Sequence, residues 1–258
     1  MSQFFYYSQG LRLAFETSGE GEPLVLIHGY PLNRTIWRPL LPHLDGLQVI
    51  LPDVRGFGES QVAPPGFSMD DLAEDLAALL DHLRLERAFI GGHSMGGYIA
   101  LAFARRYPQR VKGLALIASQ AAADTPERRL ARAETAARIE REGIGFVAEA
   151  MSTALTPLES LRPILRDLIL QQSPQALIGA LQAMAARADA LDLLRESTFP
   201  LLLVHGQADA LIPIERAREV QAAVPRAYLV ELEAVGHMPM MEAPLPTAQA
   251  LRDRFLRT

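Results

Sequence analysis

The chain has 258 residues, 49 % hydrophobic and 21 % charged, with a net charge of −5 and no cysteine. That length can bury a full core, as one large domain or one domain with an inserted piece. The missing thiols exclude a disulfide framework and thiolate metal ligation and fit a cytoplasmic setting, and mild acidity without a basic cluster speaks against nucleic acid as partner.

In chain order, FFYYSQ (4–9) and LRLAFETS (11–18) read as a hairpin turning near Gln9 and Gly10. The start MSQFFYYSQG lacks the basic-then-apolar pattern of a secretory leader. No apolar run nears the ~20 residues that span a bilayer, so no membrane partner is expected. PLVLI (23–27) and LQVILP (47–52) are short buried strands, and SMDDLAEDLAALLDHL (68–83) is a helix capped by Ser68 with Asp71 completing a capping box. RAFIG (87–91) is a strand, and YIALAFARRYP (98–108) has helical spacing up to Pro108. VKGLALIA (111–118), PLLLVHG (200–206) and AYLVELE (227–233) are further strands, the last two each followed by a helix-like run. Short apolar strands alternating with helices predict an α/β fold with a mostly parallel sheet flanked by helices. Catalytic groups then belong at the carboxyl ends of the strands.

Residues 119–197 interrupt the alternation. They contain no convincing strand, several helical stripes such as Leu158, Leu161, Leu165 and Leu168, and punctuating prolines at Pro157, Pro163 and Pro174. The expected division is a core of 1–118 and 198–258 with an all-helical cap, 119–197, inserted after the sixth strand.

Between strand and helix lies GGHSMGG (91–97), where Gly92-His93-Ser94-Met95-Gly96 fits the G-x-S-x-G nucleophile elbow. A serine hydroxyl becomes a nucleophile only when a base takes its proton, and that base needs a carboxylate to hold its tautomer. Of six histidines, His237 lies in a glycine-led loop after the last strand, AVGHMPMMEAP, where an imidazole can reach the serine. His28 follows a strand and would brace its loop, while His93 sits on the far side of the elbow. His205 reads as a core residue; His43 and His82 have no suggestive neighbours. Asp209, in VHGQADALIP, lies a few residues past a strand end. The order Ser94, Asp209, His237 is the order this topology expects.

These segments, with HGYP (28–31) and DVRGFGES (53–60), resemble the α/β-hydrolase family over essentially the whole chain. The resemblance implies the α/β-hydrolase fold, catalytic roles for Ser94, Asp209 and His237, and an oxyanion hole made by the backbone N–H groups of Tyr30 and Met95. A serine nucleophile separates the chain from the haloalkane dehalogenases and epoxide hydrolases, which resemble it with aspartate in that place. SQAAADTPERRLARAETAARIEREG resembles the cap start of bacterial carboxylesterases and 3-oxoadipate enol-lactonase-like proteins. The sole tryptophan is Trp37, so the Trp-Phe segment of those lactonase caps is missing.

The expected activity is cleavage of small carboxylic esters. A lactonase of the 3-oxoadipate enol-lactone type and a slow-turnover small-molecule receptor stay open as alternatives. A lactonase would have to hold a substrate carboxylate, for which Arg34 and Arg138 are candidates. Phe146, Met151, Leu181 and Met184, large apolar residues in an insertion without a sheet to cover, are expected to line the pocket. No histidine pair stands at metal-ligand spacing, so neither a metal nor another cofactor is expected. The oligomeric state stays open.

Overall fold

The computed structural model describes residues 2–64 and 66–256. Eight strands form one sheet: β1 (Ser2–Ser8), β2 (Leu11–Ser18), β3 (Glu22–Ile27), β4 (Leu47–Pro52), β5 (Ala88–His93), β6 (Val111–Ile117), β7 (Leu201–Gly206) and β8 (Tyr228–Leu232). Their order is β1-β2-β4-β3-β5-β6-β7-β8. β1 pairs antiparallel with β2, and β2 with β4; every other neighbouring pair is parallel. β5 and β7 are buried along their whole length. Strands covered on both faces need continuous apolar runs, which is why these segments lack polar alternation.

The helices are α1 (Met69–His82), α2 (Met95–Arg106), α3 (Pro126–Glu142), α4 (Gly145–Leu155), α5 (Arg162–Leu170), α6 (Pro174–Ala186), α7 (Leu191–Glu196), α8 (Glu215–Ala223), α9 (Pro239–Glu242) and α10 (Pro244–Leu256). α1 opens with the capping box read from the sequence: the Ser68 hydroxyl accepts the Asp71 N–H while the Asp71 carboxylate accepts the Ser68 N–H. α3 to α7 all lie between β6 and β7, with no strand among them in the described residues. A 3-10 helix, Arg34–His43, carries the chain from β3 to β4; its internal Pro39 and Pro42 suit a tight helix better than an α-helix.

β3 pairs with β4 on one side and β5 on the other, so the chain's direction of travel across the sheet reverses there. In open α/β sheets such a reversal opens a crevice at the strands' carboxyl ends. β3, β5, β7 and β8 all run the same way and release their loops at that end.

Candidate active site

Ser94 joins β5 to α2 with φ of 51°, a left-handed conformation that a non-glycine residue adopts only when its surroundings enforce it. They do so through backbone packing. A Cβ on Gly92 would strike the backbone of Gly96 and Gly97, and one on Gly96 would strike the carbonyl oxygen of Ile27. The turn is further held by Ser94 N–H donating to the Ile117 carbonyl (3.0 Å) and by the Ser119 hydroxyl donating to the Ser94 carbonyl (2.8 Å). The glycines of GGHSMGG therefore let β5, α2 and the end of β3 meet backbone to backbone, with the serine side chain left pointing out of the turn.

His237, on the loop after β8, places Nδ1 2.7 Å from Oδ2 of Asp209, on the loop after β7. Both are buried. Asp209 Oδ1 accepts the N–H groups of Leu211 and Ile212, each at 2.9 Å. Burial alone would push the Asp209 carboxyl up, but His237, His205 and the Ile212 N–H together hold it far below the usual carboxylate range. The carboxylate is thus fixed as an acceptor, and its partner nitrogen on His237 as a donor.

His93, His28 and His205 hold loops at this end of the sheet. His93 Nε2 donates to the His237 carbonyl at 2.8 Å, and burial holds its ring well below the ordinary histidine range. His28 donates from Nδ1 to the Gly29 carbonyl (3.0 Å) and accepts the Val54 N–H on Nε2 (2.9 Å), tying the loops after β3 and β4 together. His205 Nε2 donates to the Ile212 carbonyl at 2.7 Å and lies 3.3 Å from Asp209 Oδ2. His82, expected to have no suggestive neighbours, packs its ring edge-on against Phe15. Glu242, which the sequence did not single out, accepts the N–H groups of Gly236 and Met238 on either side of His237.

Ser94 and His237 line one cavity of about 400 Å³. Phe146, Met151, Leu181 and Met184 are in its wall, as is Tyr30, while Met95 is buried as the first residue of α2. Arg34 and Arg138 are not in that wall. Arg34, although it follows the HGYP loop, turns into a buried ion-pair cluster with Glu16 and Asp53, where the DVRGFGES segment begins. Arg138 lies on the outer part of α3, paired with Glu142 at 2.7 Å and stacked over Phe146. Arg128, Arg132 and Thr135 line the cavity instead. They share an i, i+4, i+7 face of α3, a spacing visible in the sequence.

Among the described residues no helix is long and apolar enough to cross a membrane, and no three His, Asp or Glu side chains gather as a metal-binding group. A serine on a strained turn that shares a cavity with an imidazole locked to a buried carboxylate can carry out nucleophilic acyl chemistry.

A family model described as alpha/beta hydrolase fold matches residues 22–244. A thermophilic esterase from Thermogutta terrifontis is 40 % identical, with a TM-score of 0.93, covering 100 % of this chain and 98 % of its own. The enol-lactonase from Burkholderia xenovorans LB400 is 25 % identical, with a TM-score of 0.89, covering 98 % of this chain and 100 % of its own. The dihydrolipoyllysine-residue acetyltransferase component of the acetoin cleaving system of Pseudomonas putida is 35 % identical over 248 residues, which take in 89 % of this chain but 62 % of that protein's length. With the family model covering most of the chain, the sheet order of the fold, and an esterase and an enol-lactonase among its structural neighbours, this chain belongs to the α/β-hydrolase family.

Proposed function

We propose that the chain is a serine hydrolase that cleaves small carboxylic esters through an acyl-enzyme intermediate. The observation that carries this reading is the His237–Asp209 pair lining one cavity with a strained, outward-turned Ser94. With Nδ1 engaged by Asp209, His237 keeps Nε2 for the Ser94 proton. Ser94 Oγ attacks the ester carbonyl carbon as its proton passes to Nε2, and the tetrahedral intermediate places its negative oxygen on the N–H groups of Tyr30 and Met95. The positive end of α2 favours the same charge. Collapse expels the alcohol, which takes the proton from His237. Water then repeats the sequence in reverse, freeing the acid and restoring the serine.

In this reading the helices of residues 119–197 form a cap that closes the pocket with Phe146, Met151, Leu181 and Met184. A cavity near 400 Å³ is at the small end of ligand sites, which supports short substrates. The likeness to an enol-lactonase favours a second reading with the same catalytic groups, in which the leaving alkoxide stays tethered to the acyl chain. Comparing kcat/KM for short aryl esters, alkyl esters and enol-lactones separates the two.

The decisive experiment is labelling by a fluorophosphonate followed by peptide mapping, with 4-nitrophenyl butyrate turnover measured alongside. Wild type should be labelled at Ser94, and Ser94→Ala should lose both label and turnover while unfolding at the wild-type temperature. Substantial turnover in that variant would sink the proposal.

A further inference from the structure

One wall of the Ser94 cavity carries positive charge with no acid to match it. Arg128 and Arg132 line it, and among the described residues no aspartate or glutamate does. Behind that wall Asp124, its carboxylate fully buried, is shared by three guanidinium groups: Arg132 Nε at 2.5 Å, Arg187 Nη1 at 2.7 Å and Arg128 Nε at 3.7 Å. Among the described residues these three arginines make no other ion pair, so two positive charges are left over beside an otherwise largely apolar space. Arg132 directs Nε to Asp124 and rests Nη1 against the Met184 sulfur at 3.4 Å. Its Nη2 has no protein acceptor among the described residues.

Much of the remaining lining is apolar, with Phe146, Val147, Ala150, Met151 and Leu181. The free edge of the Arg132 guanidinium is a planar fork of donors, and an ionised carboxylate is its natural acceptor.

We propose that the enzyme prefers esters carrying a second, ionised carboxylate, namely half-esters of short dicarboxylic acids, and that Arg132, with Arg128, holds that carboxylate while Ser94 attacks the ester. This assignment rests on the serine-hydrolase reading. Arg128, whose side chain is 41 % exposed, stands at the rim and attracts the anion; Arg132, whose side chain is 13 % exposed, grips it. Phe146, Met151 and Leu181 then enclose the methylene chain between the two ends.

The test compares monomethyl glutarate with methyl glutaramate, its neutral amide isostere. Wild type should favour the anion in kcat/KM by about ten- to a hundredfold, the range of one charge-assisted contact. Arg132→Gln should bring the ratio near one, and Arg132→Lys should restore part of it, since lysine keeps the charge but not the planar fork. Binding of the same two compounds to full-length Ser94→Ala, measured by calorimetry, should show the same preference without any chemistry. A wild-type ratio of one or below overturns the proposal, as does an unchanged ratio in a folded Arg132→Gln protein. If Arg132→Gln fails to fold, Arg128→Gln and the loss of the wild-type preference with rising salt decide it. Should neither ester be cleaved and Ser94 escape the phosphonate, the hydrolase reading fails, while the calorimetry still decides the subsite.

Discussion

Replacing Asp209 with asparagine changes one oxygen to an NH₂ in a site where every contact is a donor. Oδ1 accepts two loop N–H groups at 2.9 Å, and Oδ2 faces His237 Nδ1 at 2.7 Å and His205 Nε2 at 3.3 Å. An asparagine that keeps both loop bonds must set its NH₂ where Oδ2 stood. His205 already donates through Nε2 to the Ile212 carbonyl and cannot turn acceptor there. His237 can, by moving its proton from Nδ1 to Nε2, but it then carries a proton where it must receive one. The flipped amide would instead strand two N–H groups at roughly 1–3 kcal/mol each, so the tautomer switch is the cheaper outcome. In serine proteases the equivalent change costs about 10⁴ in kcat, or roughly 5 kcal/mol at the transition state. We expect a loss of about 10³ to 10⁴ in kcat/KM for 4-nitrophenyl butyrate, carried by kcat, with little change in unfolding temperature. A loss below about tenfold, or one confined to KM, would refute the assignment of Asp209 as the orienting acid.

Gly96→Ala should destabilise by about 1–3 kcal/mol in urea, because the added methyl meets the carbonyl oxygens of Ile27 and His28 rather than a movable side chain. A gain in stability, as helix propensity alone would give, contradicts the backbone contact. Acidification should weaken the fold: burial lowers the His28 and His93 pKa values, so below the unfolded value of ~6.5 the unfolded chain binds more protons and stability falls until the folded values are reached. His93→Gln, compared with wild type by urea unfolding from pH 7 to 5, should show a flatter decline; parallel curves would count against this. The acyl-length profile for neutral 4-nitrophenyl esters should peak between acetate and roughly hexanoate, since a clash in a small cavity outweighs the ~0.8 kcal/mol gained per buried methylene. A steady rise to palmitate would mean an open groove.

β3 to β8 were legible as short, mostly apolar runs, β1 and β2 as a hairpin turning at Gln9 and Gly10, and the elbow because its backbone contacts leave no room for a Cβ. Ser94, Asp209 and His237 were singled out from their places after β5, β7 and β8, and the fold brings Ser94 and His237 to one cavity and Asp209 within hydrogen-bond distance of His237. The 3-10 helix at Arg34–His43 was missed because two prolines erase the α-helical pattern. Arg34 and Arg138, the two arginines considered for a substrate carboxylate, lie outside the cavity wall for a different reason. Arg34 follows the HGYP loop, but a side chain beside a loop can turn either way, and it turns toward Asp53 and Glu16. α3 carries Arg128, Arg129, Arg132, Arg138 and Arg141, and only its packing face, fixed by contacts with α6, selects Arg128 and Arg132 for the cavity.

The loop bearing His237 hangs from the inserted helices. The His237 N–H donates to the carbonyl of Leu155, the last residue of α4, at 3.0 Å, and Gly236 lies so close to Pro157 that a Cβ there would collide with its ring. Exchanging this insertion for one from a relative would therefore alter more than the shape of the pocket. The foreign segment would also supply a new anchor for the imidazole, so substrate range and turnover would change in a single step. Libraries confined to the inner face of α4, at Val147, Ala150 and Met151, would leave the anchor in place and let selectivity drift on its own. Changes reaching residues 155–157 would couple the two, and chimaeras joined there would require the His237 loop to be re-anchored before their specificities could be compared.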